Sequence, residues 1–486
     1  MNMPRRLLIE QGGPGHRGPA LPACDVPMKP LPELLPGVPL RAELRLPQAS
    51  EPEVVRHFIE LSTLNHHVDR GFYPLGSCTM KHNPRIDEEM AALPGFGGSH
   101  PLAGDDATQG CLRVLAEVQD LLAAITGFAA VTTQPAAGAH GELTGILLIR
   151  AWHRSRGEGE KRRRVIVPDS AHGTNPATVN LAGYETVVIP SAADATVDVA
   201  ALGAALDDRT AAVMLTVPNT LGLFEPHVRE VTRLAHAAGA QCYMDGANLN
   251  ALVGRVRPGD LGFDVMHINV HKTFATPHGG GGPGGGPVAV AKHLEPFLPA
   301  PVAVRGPDGR MRLDWERPRS IGRVHSFNGN FGVLVRALTY ILTLGPAGLA
   351  EVSRAAILNA NYLMRRLARV YDLPHSRHCM HEFVLSGRGL RQHGIKTLDV
   401  AKRLLDFGVH APTVYFPLIV EEALMIEPTE TETFDRLDHF ASTMERIARE
   451  AAEEPQLLHD APHSTPVRRL DEARASREPK LVWTQP

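Results

Sequence analysis

Short apolar runs, largely β-branched, alternate with stretches of helical period through the middle of this 486-residue chain. The runs at 164–169 (RVIVPD), 186–189 (TVVI), 212–217 (AVMLTV), 241–245 (QCYMD), 265–269 (VMHIN) and 288–291 (VAVA) predict strands, preceded by a short one at 128–133. Between most of them lie helical segments, such as 140–156, 200–206 and 228–238. Residues 108–126 repeat apolar positions at Leu112, Leu115, Val118, Leu122 and Ile125, as an amphipathic helix does. This alternation implies an α/β fold with a mainly parallel sheet wrapped by helices. Beyond residue 326 the rhythm changes to long helices (331–344, 353–371, 431–452) with short strands at 382–385 and 423–426, which predicts a helical connector and a smaller C-terminal α+β domain.

The ends differ from the middle. Residues 1–50 are rich in proline and glycine and read as an extended arm that must lie on something else to be ordered. A helix at 50–64 follows, behind the Ser-x-x-Glu capping box of Ser50 and Glu53. The expected division is an arm and helix at 1–65, a large domain at 66–330, the connector and small domain at 331–454, and a polar, proline-punctuated tail at 455–486. The tail is disordered or laid on a partner.

Composition narrows the function. A net charge of -3 and the absence of long basic runs argue against nucleic acid as a partner. Five scattered cysteines without a CxxC fit a reducing cytoplasm better than a disulfide framework. No stretch reaches the apolar length of a membrane span, so no membrane role is expected. The 24 histidines show no HExxH or paired Cys/His spacing, so no metal is expected.

The candidate chemistry gathers at the carboxyl ends of the strands, where ligands bind in such sheets. Residues 264–287 (DVMHINVHKTFATPHGGGGPGGGP) read as a strand that delivers Lys272 to a glycine-rich loop. Taken alone, Lys272 reads as a solvated strand-end lysine. Asp245, however, closes another strand and is followed by Gly246, Ala247 and Asn248. A lysine to hold an aldehyde as a Schiff base and an aspartate to keep a ring nitrogen protonated are what a pyridoxal phosphate enzyme needs. The small residues of 136–142 (AAGAHGE), including Gly138 and Ala139, suit a phosphate at a helix N-terminus. His172, past another strand, could stack on a planar cofactor, and the turn 219–222 suits its phenolic oxygen. If the last strand alternates, Asn269 and His271 share one side, toward the phosphate, and Lys272 points to the aldehyde carbon.

FYPLGSCTMKHNP, QPAAGAHGE, DSAHGTNPA, MDGANLNA, NVHKTFATPHGGGGPG, HEFV and EPTET together resemble the glycine dehydrogenase (decarboxylating) family, the P-protein of the glycine cleavage system, and within it the lysine-bearing subunit of the split bacterial form. The resemblance runs from about residue 50 to the tail. It implies the aspartate aminotransferase-like fold, fold type I of pyridoxal phosphate enzymes, with Lys272 as the Schiff-base lysine, Asp245 on the ring nitrogen, His172 on the ring, and Gly138, Ala139 and His271 near the phosphate. It further implies glycine as substrate, release of carbon dioxide, and transfer of the aminomethyl group to the lipoyl arm of an H-protein. A homologous subunit 1 would complete an α2β2 assembly, with 279–286 contributing at an interface.

Two other readings share these residues. An aminotransferase of the same fold would need an arginine for a second carboxylate, for which Arg323 is a candidate. A catalytically silent scaffold would not need Lys272 and Asp245 together. Thr79, Lys81, His82 and His325 are candidates for guiding the reacting carbon, and Cys78 reads as a packed thiol.

Overall fold

The β-branched runs pair into a seven-stranded sheet in the computed structural model, which describes residues 6–42, 46–278 and 284–483. The strands are β1 (Ala130–Thr132), β2 (Arg164–Pro168), β3 (Glu185–Ile189), β4 (Thr210–Thr216), β5 (Gln241–Gly246), β6 (Val265–Ile268) and β7 (Val288–Val290), in the spatial order β1-β7-β6-β5-β4-β2-β3. Strands β3, β2, β4, β5 and β6 run parallel, while β7 is antiparallel to both its neighbours.

Each side of the sheet buries its own apolar layer. Val213, Leu215, Met244 and Met266 face one core with the helix Gln109–Thr126. Met214, Tyr243 and Val265 face the other with Ile146, Leu148 and Ile149 of the helix Gly138–Ser155. Every residue of β4 is buried, as expected for a strand covered on both sides.

A hairpin of β8 (Val302–Arg305) and β9 (Met311–Asp314) follows the sheet. The smaller layer is a three-stranded antiparallel sheet of β10 (Phe383–Ser386), β11 (Thr413–Val414) and β12 (Ala423–Ile426), ordered β10-β12-β11. Helices Thr397–Asp406 and Phe434–Glu453 pack on it around Phe383, Leu424 and Phe440.

The connector is Phe331–Leu367, long and apolar enough by length and composition to cross a membrane, a length that the sequence pattern alone does not predict. Gly345, with φ 61° and ψ -176° just before Pro346, breaks it into two helices. Its buried Leu338, Ile341 and Leu349 belong to the sheet's core.

The tail is partly docked. Leu458 and Ala461 are fully buried, Arg469 donates to Asp399 Oδ1 at 2.7 Å, and Asp406 Oδ1 accepts the Ser464 N–H at 2.7 Å. Contacts divide the chain into two units, Met1–Arg70 and Gly71–Pro486. Within the first, Glu53 Oε2 accepts the Ser50 N–H at 2.7 Å and so caps the helix Glu51–Ser62, as the capping box predicts.

Candidate active site

Parallel register sets Thr216 beside Asp245 and Asp245 beside His267, one row across the ends of β4, β5 and β6. Asp245 is 3% exposed. Its Oδ2 accepts from Asn175 Nδ2 at 3.0 Å, its Oδ1 accepts the Ala247 N–H at 2.9 Å, and His267 Nε2 lies 3.3 Å from Oδ1. Burial opposes the charge, yet His267, Asn175, the Ala247 N–H and Lys272 together hold the carboxyl below its ordinary range.

The orienting chain continues outward. Burial pushes the Tyr243 hydroxyl well up, so it keeps its proton and donates to His267 Nδ1 at 2.8 Å. Burial also holds His267 below the usual imidazole range, which leaves its Nε2–H to Asp245. A second carboxyl, Glu142, shares this space. Burial and the charge of Asp245 push it up, and the Thr174 hydroxyl donates to its Oε2 at 3.1 Å. The environments thus set the two acids apart, Asp245 below its ordinary range and Glu142 raised to about 7.

Lys272 is not on the strand. β6 ends at Ile268, and Val270–Thr273 is a single helical turn with Asn269 at its N-cap. The strand alternation expected for Asn269, His271 and Lys272 therefore does not apply. The turn sends Lys272 Nζ to the Ser77 carbonyl at 2.7 Å. Gly138 and Ala139 open an 18-residue helix whose N-cap, Ala137, offers no side-chain cap, so its first N–H groups stay available. A Cβ on Gly286 would lie 1.9 Å from the Ala137 carbonyl oxygen, and glycine alone admits that approach.

These groups line a cavity of about 120 Å³ that includes Lys272, Asp245, Ala247, His172, Gly138, Ala139, Asn269 and Thr216. The His172 Nδ1 accepts the Thr174 N–H at 3.2 Å and lies 2.9 Å from the Thr174 hydroxyl oxygen, and its ring meets the edge of Phe416 at 5.4 Å. Burial lowers its pKa. His271 is not among the lining residues: its Nδ1 accepts the Gly285 N–H at 3.2 Å, and its ring packs edge-on to His278. Burial and His278 hold His271 down to about 3. Residues 279–283 of the glycine loop lie outside the described residues.

Other sequence candidates are committed elsewhere. Asn219 secures its own turn through Ala195, Leu221 and Leu223, leaving Thr220 on the cavity wall. Arg323 lies over the Trp315 ring, 4.9 Å from its centroid. Lys81, 2% exposed, bonds Asn250, the Thr273 carbonyl, Tyr340 and Glu430. Thr79 bonds Glu427, His325 lies by His140, and the His82 N–H donates to Thr431. Burial pushes the Cys78 thiol up to about 11, so it stays protonated. Sequence reasoning missed Ser77, Asn175, Thr216, His267 and Phe416. Only Thr216 and His267 carried a signal, as strand-end residues level with Asp245.

A family model described as the glycine cleavage system P-protein matches residues 32–307, and one described as glycine dehydrogenase, C-terminal domain, matches residues 352–464. A Bacillus velezensis protein named "Probable glycine dehydrogenase (decarboxylating) subunit 2" is 55% identical over 483 residues, covering 99% of this chain and 98% of its own. A protein of the same name from Caldanaerobacter subterraneus is 54% identical over 480 residues, with 99% of each covered. A crystal structure titled as glycine decarboxylase (P-protein) of the glycine cleavage system, in inhibitor-bound form, aligns with a TM-score of 0.71 over 86% of this chain and 93% of that one, at 21% identity. That likeness speaks for the fold, the fold type I architecture of pyridoxal phosphate enzymes.

Proposed function

The chain belongs to the P-protein family of the glycine cleavage system, the glycine dehydrogenases (decarboxylating), and from that premise we propose that it carries pyridoxal phosphate on Lys272 and decarboxylates glycine there. The observation that carries the cofactor reading is the pairing, across one small cavity, of Lys272 with a buried aspartate held charged. The wall fits such a group in a second way. Asn269 Oδ1 and Thr216 Oγ1 are buried and have no hydrogen-bond partner among the described residues, an arrangement that a polar ligand satisfies.

In this reading the first N–H groups of the Gly138 helix and the Asn269 side chain receive the phosphate. Asp245 holds the proton on the ring nitrogen, and His172, fixed by Thr174 and Phe416, covers the ring. The cofactor supplies an electron sink for the pair left behind when carbon dioxide departs. Lys272 would hold the aldehyde carbon, and the Ser77 carbonyl, which accepts from Nζ at 2.7 Å, would keep the free amine in place. Glu142, raised to about 7 by burial and Asp245, takes up a proton readily and so spares Asp245 a second negative charge.

The relatives' designation as subunit 2 supports a partner subunit 1, in an α2β2 assembly. The family supports glycine as substrate and the lipoyl arm of H-protein as acceptor of the aminomethyl group. Five free cysteines fit a reducing cytoplasm.

The direct test adds pyridoxal phosphate to the purified chain and follows absorbance at the visible edge. A band that borohydride fixes onto the peptide holding Lys272, and that Lys272→Ala lacks, is the expected result. A band of equal strength in Lys272→Ala refutes the assignment.

A further inference from the structure

Phe383 of β10 pairs with Ile426 of β12, so the residues one step beyond, Glu382 and Glu427, finish side by side. Both side chains are 0% exposed, and His381 Nε2 lies 3.8 Å from an oxygen of each. Neither His381 ring nitrogen has a partner among the described residues, and burial holds the ring down to about 3, so it brings no positive charge. Two carboxylates so placed cannot both ionise.

Apart from Asn248 Nδ2, which donates to Glu382 Oε1 at 3.3 Å, the hydrogen bonds of the pair converge on one turn. Glu382 Oε2 accepts the Ser77 N–H at 2.6 Å. Glu427 accepts the Thr79 N–H at 2.8 Å and its hydroxyl at 2.5 Å. Ser77 and Thr79 are both left-handed, with φ of 60° and 49°, a conformation that persists only where surrounding bonds impose it. The Ser77 carbonyl is the group that receives Lys272.

We propose that Glu382 and Glu427 share one proton and act together as a single countercharge that positions Lys272 through the Ser77–Thr79 turn. The pair are positioning residues, and the inference rests on the reading that Lys272 carries the cofactor. Burial and Glu427 push Glu382 well above its ordinary value, and burial pushes Glu427 up to about 7. Among the described residues, the other groups facing the pair leave it one cation. Cys78 and Cys379 are neutral thiols pushed up by burial, His381 is neutral, and Glu430 is tied to Lys81 at 2.7 Å. Lys272 acts on both carboxyls.

Because the charge belongs to the pair, removing either acid alone leaves the other to carry it. The test loads the full chain with pyridoxal phosphate and titrates the visible absorbance of the cofactor–Lys272 linkage against pH, for wild type, Glu382→Gln, Glu427→Gln and the double variant. The single variants keep the wild-type midpoint. The double variant loses the countercharge, and its midpoint moves to a proton concentration about tenfold or more higher. A double variant with the wild-type midpoint, or singles that each shift as far as the double, overturns the proposal. Should the double variant not fold, infrared difference spectra decide: each single must lack a protonated-carboxyl band that wild type shows at neutral pH, and a band unchanged in both overturns it. A wild-type chain that gains no visible band from pyridoxal phosphate defeats the cofactor assignment instead, and the infrared result still judges the shared proton.

Discussion

Asp245 remains ionised in a buried setting because three neighbours, Asn175, the Ala247 N–H and His267, are already aimed at its oxygens. Asp245→Asn keeps the shape and removes the charge. It is expected to retain the cofactor band while lowering glycine decarboxylation by roughly a hundredfold or more, the scale of a lost preorganised electrostatic partner. Activity close to wild type in a steady-state assay would remove Asp245 from its assigned role. Asp87, in the helix Arg85–Ala91, behaves oppositely. Both its oxygens are buried without a partner among the described residues, and burial and Glu88 push it up to about 7 against the pull of Arg336. Its folded pKa is raised, so the penalty is absent near pH 4, grows as pH rises, and is complete above about 7. Asp87→Asn should raise Tm by roughly a few degrees at pH 8 and by almost nothing near pH 4; a gain independent of pH contradicts a buried charge as its source. At this scale the sequence pattern pointed to Lys272 and Asp245 as a pair, and the structure brings both to one cavity, Lys272 from the turn after β6. Glu142 was not, because its raised value depends on burial and on Asp245, which only folding brings near.

The elements meet the site through close approach. The helix Gly138–Ser155 begins where residue 286 passes, and any Cβ at Gly286 would run into the Ala137 carbonyl. Gly286→Ala should therefore weaken pyridoxal phosphate binding at least about tenfold, because the shift is taken up by the phosphate cradle. Equilibrium dialysis measures it, and unchanged affinity would show that the cradle lies elsewhere. Strands were legible from their apolar runs, whose residues the two cores claim alternately. The turn Val270–Thr273 was not. Four residues are too few to show helical period, and Val270 and His271 continue the apolar–polar alternation of β6. The break in Phe331–Leu367 at Gly345 falls where the helix expected at 331–344 ends.

Across the whole molecule the site draws on residues from 77 to 427, so most of its supporting contacts could not be read from local pattern. Ser77 meets Glu382 over 305 positions and Thr79 meets Glu427 over 348. The class of fold needed only the rhythm of strands and helices. The first unit is the part least explained by its own packing: Leu21, Phe58 and Ile59 are 89%, 57% and 58% exposed. Exposed apolar residues of this kind fit a chain that completes itself against a partner, and glycine decarboxylation at Lys272 is tested most directly with that partner present. The measurement is exchange of labelled bicarbonate into glycine, with lipoylated H-protein, for this chain alone, with a candidate subunit 1, and for the Lys272→Ala variant. Exchange that requires the partner and disappears in the variant is the predicted result. Bound pyridoxal phosphate without exchange in every combination would contradict glycine decarboxylation at Lys272.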